Sequence, residues 1–370
     1  MLVILWVFVA VLVIILMILI HEAGHFLAAK TVGIKVDKFG IGFGPEIVGW
    51  TRGETRYSIN WIIAGGYVKI AGMNPDDEIP PEDLPRSYRK APYWKRLIVI
   101  IAGSFSHLLI ALILFYLIFW PIGFPVLTGR VGKVQSKVTF SDGSSLPSPA
   151  YGIGLEKGDL IKSVNGAEIH EWADLTEQLS KNPGKVVTIE VERGKERFKR
   201  QVRLLDIEGR GILGIQVDLN DTFSRRTSPL KAFWDSGLTT AKLSVAFFKG
   251  IISLFSVKTL RVMIGVSPRT QESPRSIVGA AQLAVQAAKR GISDFLFIIA
   301  EIFLFLAIFN MIPLPPFDGG HVVVLIFEKF FKREVDLKKL MPIAWAVIVL
   351  LSIVAIRLAF LDIFKPIPPP

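Results

Sequence analysis

The stretch "MLVILWVFVAVLVIILMILIHEAGHFLAAK" (residues 1–30) runs twenty apolar residues without a charge, then places His21, Glu22 and His25 in the next five. Twenty helical residues at 1.5 Å each span about 30 Å, the thickness of a bilayer's hydrocarbon core. The run lacks a positive n-region, is too long for a signal-peptide core, and precedes no small-x-small cleavage site. It therefore reads as a retained transmembrane helix. Residues four apart share a helix face, so His21 and His25 can offer two imidazoles to one ion, with Glu22 beside them. This is the HExxH pattern of zinc hydrolases: two ligands, and a carboxylate placed to take a proton from metal-bound water. The bland alternative is a chance pentapeptide at a helix end. Ionisable groups exposed to lipid cost on the order of 3 kcal/mol each, which favours the functional reading. Gly24 leaves room for close approach of substrate or another helix.

Composition agrees with a membrane protein. Of the 370 residues, 51% are hydrophobic and 20% charged, below the roughly 25% usual in soluble domains. Mean hydropathy is +0.48. The formal net charge of +11 is spread around hydrophobic blocks rather than gathered in one basic run, which points to a membrane surface and not to nucleic acid. The absence of cysteine excludes disulfides, thiolate metal sites and cysteine nucleophiles. Any metal site must use His, Asp, Glu or water, a set that suits catalytic zinc.

Three more spans follow. They are "RLIVIIAGSFSHLLIALILFYLIFWPIGF" (Leu97 to Phe119), "FLFIIAEIFLFLAIFNMI" (Phe295 to Ile312) and "IAWAVIVLLSIVAIRLAFL" (Ile343 to Leu361), the last with Arg357 snorkelling toward an interface. The expected organisation is a first span at 1–27, a loop at 28–96, a second span at 97–120, a soluble domain at 128–220, interfacial helices at 223–294, a third span at 295–316, a loop at 317–341 and a fourth span at 342–363. The first loop carries eleven Lys and Arg against eight Asp and Glu, and the short loop "KFFKREVDLKK" is also basic. Positive loops mark the cytoplasmic side, so 128–220 faces outward. In that region "KVVTIEVERGKERFKRQVRLL" alternates as paired strands do, and "HEWADLTEQLSKNPG" has helical spacing. Lys242, Lys249 and Lys258 interrupt the apolar "KLSVAFFKGIISLFSVKTL", which reads as interfacial helix, with a fifth span as its rival.

A third metal ligand is needed, and Asp318 in "NMIPLPPFDGGH" is the distant candidate. The third span returns to the cytoplasmic side, where the first helix ends. Pro313, Pro315 and Pro316 break the helix, and Gly319 and Gly320 let the backbone turn Asp318 inward. An ordinary Asp-Gly turn is the alternative, and the topological convergence weighs against it.

Taken together, "HEAGH" (21–25), "FGIGFGP" (39–45), "GGYVKIAGM" (65–73), "RLIVIIAGS" (96–104), "GLEKGDLIKSVNG" (154–166) and "NMIPLPPFDGG" (310–320) resemble the site-2 protease family of intramembrane zinc metalloproteases, in the bacterial branch with a single PDZ domain. The resemblance implies a multi-pass α-helical membrane protein of about four transmembrane helices, a cytoplasmic membrane-associated β-hairpin and one extracytoplasmic α+β PDZ domain, in the bacterial inner membrane with its active site near the cytoplasmic side. It implies one Zn2+ on His21, His25 and Asp318, with Glu22 as general base. It also implies regulated intramembrane proteolysis of single-pass membrane proteins, either anti-sigma-factor-like proteins or signal-peptide remnants. Gly65, Gly66, Tyr67, Val68 and Lys69 lie in the hairpin that pairs with unwound substrate in this family, and Asn310 matches an asparagine able to bond substrate backbone. The PDZ domain either docks trimmed carboxyl termini or acts as a steric plug.

Departures from the family pattern are Ser104 and His107, where proline and asparagine are usual, Phe317 for leucine, and "ESPRSIVGAAQ" (272–282) for a Gly-Pro-Ile-Gly pattern. His107 reads as an imidazole hydrogen-bonded between helices rather than a ligand. Glu301, mid-span, is expected to face the bundle or a water-filled cavity, with a structural partner as the first reading and a role on the substrate path as the second. His321 either stands behind the metal ligands or caps the next helix. A rival function is a non-catalytic membrane PDZ adaptor with a structural metal, though such a site would need no base at Glu22.

Overall fold

The computed structural model describes residues 2–74, 76–139, 145–270, 273–333 and 335–367, with side chains from residue 12 onward except at 63, 64 and 139. Residue 1 of the expected first span, 140–144 of the expected soluble domain and 272 of "ESPRSIVGAAQ" lie outside the described residues. The chain divides into two units, 1–120 with 228–370, and 121–227.

In the first unit, helix α1 (Leu2–Thr31) is apolar on every face until His21, as a helix surrounded by lipid must be. Strands β1 (Val36–Arg52) and β2 (Thr55–Ile70) follow. They meet at a two-residue turn whose Gly53 takes φ +63°, the left-handed value that the first position of such a hairpin turn demands. The register then departs from a simple hairpin. Lys38, Phe39, Gly40 and Ile41 pair with Lys69, Val68, Tyr67 and Gly66 on one side and with Arg56, Tyr57, Ser58 and Ile59 on the other. Residues 66–70 are thereby left as an outer edge. Apolar side chains stand exposed on this sheet, among them Phe43, Ile47, Trp50, Trp61 and Ile62. At its base Val36 and Ile70 are buried with Ala29, Ile34, Tyr88, Val99, Ile100 and Leu325.

Helix α2 (Tyr93–Leu117) continues through a π turn to Ile122. It crosses α1 at close quarters. A Cβ on Gly24 would lie 2.5 Å from the Ala102 carbonyl oxygen, so the neighbour that Gly24 admits is a helix. The Ser106 hydroxyl donates to the Ile20 carbonyl at 3.0 Å. Small residues and interhelical hydrogen bonds of this kind are what hold helices together in lipid.

The second unit is built on a four-stranded antiparallel sheet of β3 (Leu160–Val164), β4 (Ala167–Glu168), β5 (Val186–Arg193) and β6 (Glu196–Arg203), in the order β6-β5-β3-β4. Asn165 (φ +52°) and Gly166 (φ +82°) form the β3–β4 turn. Helix α3 (Trp172–Ser180) buries Leu175 and Leu179 against the sheet's aliphatics, Ile161, Ile189 and Val191 among them. Asp159, 1% exposed on its side chain, is held by the Arg193 guanidinium at 2.7 and 2.8 Å.

The first unit resumes with α4 (Pro229–Ser253), α5 (Val257–Met263), α6 (Ile277–Arg290), α7 (Ile292–Phe309), α8 (Asp318–Phe331) and α9 (Met341–Phe364). Four helical segments among the described residues are long and apolar enough to cross a membrane: 12–31, 93–122, 292–309 and 337–364. The α4–α5 pair, bent by 67°, makes a fifth if it is one span. Arg357 donates from Nε to the Met263 carbonyl at 2.6 Å, because the end of the short α5 leaves an acceptor within reach. Helix α7 stops at Phe309, short of the expected 316, since the prolines that follow cannot donate the next helical bonds. The chain turns back through 310–317, with a cis Pro315–Pro316 peptide, and Gly319 N–H donates to the Asn310 carbonyl at 2.9 Å.

Candidate active site

His21 and His25 lie one turn apart on α1, inside a continuous helix that runs on to Thr31. Asp318 opens α8. The reversal at 310–317 delivers it to them, and this turn has no room for side chains at Gly319 or Gly320. A Cβ on Gly319 would meet the Met311 and Ile312 carbonyls, and one on Gly320 would lie 2.6 Å from Pro315 N. The result is a compact set of donors. His25 Nε2 is 3.2 Å from His21 Nε2, and Asp318 Oδ2 is 3.4 Å from His21 Nε2 and 3.5 Å from His25 Nε2.

These separations decide what the set can hold. Ligands at zinc distances of 2.0–2.1 Å in a tetrahedron stand about 3.3–3.4 Å from one another. Two imidazoles and a carboxylate are also a donor set that catalytic zinc accepts. His25 Nδ1 donates to the Val99 carbonyl at 2.7 Å. A carbonyl only accepts, so the proton sits on Nδ1 and the Nε2 lone pair points into the set. The three residues fit a metal ion.

Glu22 sits outside the set and faces the sheet. A Cβ on Gly66 would lie 3.0 Å from the Glu22 Cγ. The edge formed by 66–70 therefore runs beside Glu22. Of the other expected substrate-binding residues, Gly65 lies against the ring of Phe43, Tyr67 stacks on Phe43 and meets the Ser58 hydroxyl at 3.2 Å, and Lys69 faces Asp77 at 3.6 Å. Asn310 caps α7, one backbone hydrogen bond from the start of α8, and its side-chain amide has no hydrogen-bond partner among the described residues.

Two residues that sequence reasoning did not place at the site belong there. Gly103 of α2 lies against both imidazoles: a Cβ would fall on His25 Nε2 and 2.8 Å from His21 Nε2. Ser104, buried, directs its hydroxyl to Asp318 Oδ2 at 3.4 Å. The signal for both was the small-residue run "AGS" inside an apolar span, which marks a helix crossing without saying what is crossed.

His107 donates from Nε2 to the Met17 carbonyl at 2.9 Å, the interhelical bond expected of it. The partner expected for Glu301 does not materialise: it makes no hydrogen bond or ion pair among the described residues. It lies on a mid-span turn of α7 whose neighbours are apolar, with Phe303, Leu304 and Ala300 buried around it. His321 lines a cavity of about 420 Å³ with Tyr88, Arg96 and Glu328.

The signature of peptidase family M50 matches residues 9–355. The chain is 30% identical to the zinc metalloprotease Rip1 of Mycobacterium tuberculosis over 96% of each chain, and 28% identical to the zinc metalloprotease Rip1 of Mycolicibacterium smegmatis over 96% of each. The solved PDZ domain of an SdrC-like protein from Listeria innocua is similar to 24% of this chain and 92% of that one, at 24% identity and a TM-score of 0.20. With a family match that reaches from α1 into α9 and relatives similar end to end, the chain belongs to peptidase family M50 and is a zinc metalloprotease.

Proposed function

We propose that the chain cleaves single-pass membrane proteins at a site set into its own membrane helices. The observation that carries this reading is the continuity of α1, in which one uninterrupted helix supplies both an apolar span and the histidines that meet Asp318. His21, His25 and Asp318 hold one ion. Zinc there supplies Lewis-acid chemistry, acidifying a water and polarising a carbonyl. Glu22 takes the water's proton and returns it to the leaving amine. The edge at Gly65, Gly66, Tyr67, Val68 and Lys69 receives the substrate as an added strand, which exposes a peptide bond that a helix would shield. Asn310 bonds the substrate backbone with its free amide.

Residues 28–96 and 317–341 face the cytoplasm in this reading, and 128–220 is a PDZ domain on the other side of the bacterial inner membrane. Its Ile215–Val217 strand pairs with Val131–Val134 on one edge only, among the described residues, which supports capture of an extended peptide. Substrates trimmed outside the membrane, anti-sigma-factor-like proteins or signal-peptide remnants, suit both the groove and the embedded site.

The test uses the full-length protein in detergent and a model single-span substrate. Glu22→Gln should keep its zinc and lose cleavage by about 10²-fold or more. Undiminished cleavage by the purified variant overturns the assignment of the base, and cleavage confined to soluble segments overturns the intramembrane reading.

A further inference from the structure

Asp318 reaches the set from a separate helix, and its carboxylate needs something to fix its plane. Asp318 opens α8, where the free N–H groups of a helix's first turn attract a carboxylate. Its side chain makes no such bond among the described residues. Its one hydrogen bond outside the set comes from α2, where the Ser104 hydroxyl lies 3.4 Å from Oδ2. Ser104 has no competing use for that hydroxyl. Two residues on, Ser106 shows what a serine in a span ordinarily does: its hydroxyl donates to the Gly103 carbonyl of its own helix at 2.7 Å and to the Ile20 carbonyl of α1 at 3.0 Å. Ser104 makes neither kind of bond among the described residues. It is 4% exposed, and a hydroxyl so buried is costly without an acceptor. Asp318 Oδ2 is the acceptor it has.

We infer that Ser104 is a positioning residue for Asp318, its Oγ–H donating to Oδ2 and holding that oxygen turned toward the two imidazoles. Oδ2 is the oxygen that faces His21 Nε2 at 3.4 Å and His25 Nε2 at 3.5 Å. A carboxylate oxygen accepts through two lone pairs, so Ser104 takes one and leaves the other for the ion. Ligating carboxylates are themselves hydrogen-bonded in metal sites, and losing such a partner weakens the metal. The neighbouring Gly103 gives both imidazoles their room, so one step along α2 serves all three donors. Proline, usual here in the family pattern, carries no hydroxyl, and the support is therefore a property of this chain's own sequence.

The role of Ser104 rests on Asp318 being a metal ligand, and the test separates the two ideas. Full-length protein in detergent is stripped with a chelator, reloaded with Co2+, and followed by its visible ligand-field bands and by chelator competition. Ser104→Ala deletes one oxygen and adds no bulk, and circular dichroism of the metal-free protein verifies the fold. It should weaken Co2+ binding about 10-fold or more and shift the bands. Ser106→Ala is the comparison: it removes hydrogen bonds from the same crossing but none to a donor, and should stay close to wild type in both readouts. Unchanged affinity and bands in Ser104→Ala, or an equal loss in the two variants, overturns the inference. Asp318→Ala should abolish the bands, and bands retained there would overturn the ligand assignment itself, whatever Ser104 does.

Discussion

The crossing of α1 and α2 and the core of the second unit solve the same packing problem with opposite materials. At the crossing the contacts are made by Gly24, Gly103, the Ser106 hydroxyl and the imidazoles of His25 and His107, bonded to helix carbonyls. In the second unit they are made by Val131, Leu155, Ile161, Leu175, Ile189, Leu204 and Leu213, all nearly inaccessible. The difference follows from the solvent. Apolar area removed from water gains about 25 cal/mol per Å², so a water-facing unit is held by bulk. An apolar side chain that leaves lipid for another helix gains almost nothing, so a lipid-facing unit is held by close approach and hydrogen bonds. The first unit should therefore be broken by adding a methyl group, and the second by removing several.

The largest effect is expected at Gly103. Its missing side chain is the space in which the two Nε2 atoms converge, and the atoms met by a Cβ there belong to the ligands themselves. The two helix backbones cannot give way cheaply, since Ser106 and His107 pin α2 to α1 one turn further on. Gly103→Ala should abolish stoichiometric zinc and all cleavage while the protein still inserts and purifies. A zinc-loaded, active Gly103→Ala protein would break the comparison at its root.

The chemistry at the site is legible in sequence where it has a chemical signature and illegible where it has only a shape. His21, Glu22 and His25 announce themselves because ionisable groups at the end of a lipid-facing run are costly. Asp318 could be nominated because prolines and glycines mark a reversal on a returning span. Gly103 and Ser104 contribute as much to the geometry, yet small residues in an apolar helix look alike whether they face lipid or a metal set. The sheet shows the same limit. The family resemblance implies a hairpin, but the second partner of Lys38–Ile41 depends on a fold within each strand that no local pattern encodes. Conversely, Glu301 is expected to be paired because charge in lipid is expensive, and it makes no hydrogen bond or ion pair among the described residues.

The second unit offers the intermediate effect. Ile189 is fully buried at the centre of β5. Ile189→Ala leaves a cavity and should cost about 2–5 kcal/mol, read as a lower unfolding midpoint or faster proteolysis within 121–227. Zinc content should stay at the wild-type level, because none of the donors belongs to that unit. Loss of zinc in Ile189→Ala would erase the distinction between the two kinds of packing.

The smallest effect sharpens the comparison at a place in the first unit held by neither means. Glu54, at the β1–β2 turn, receives both arms of Arg86 at 2.7 and 2.8 Å and the Lys30 ammonium from the end of α1 at 2.6 Å. The Arg86 guanidinium, with Lys30, holds the Glu54 carboxyl down at about 2 from an ordinary 4.5. The cluster is partly exposed, so water and salt screen it, and about 1 kcal/mol is the most that such pairs contribute. A carboxyl held low contributes in full above its unfolded value near 4.5 and loses that share as the pH falls toward 2. Glu54→Gln should therefore lower the thermal midpoint slightly at pH 7, with the gap to wild type narrowing by pH 3 and closing near pH 2. A gap that persists undiminished at pH 2 would show that Glu54 acts by shape rather than by charge, and would place the hairpin tip with the glycine crossing instead of between the two regimes.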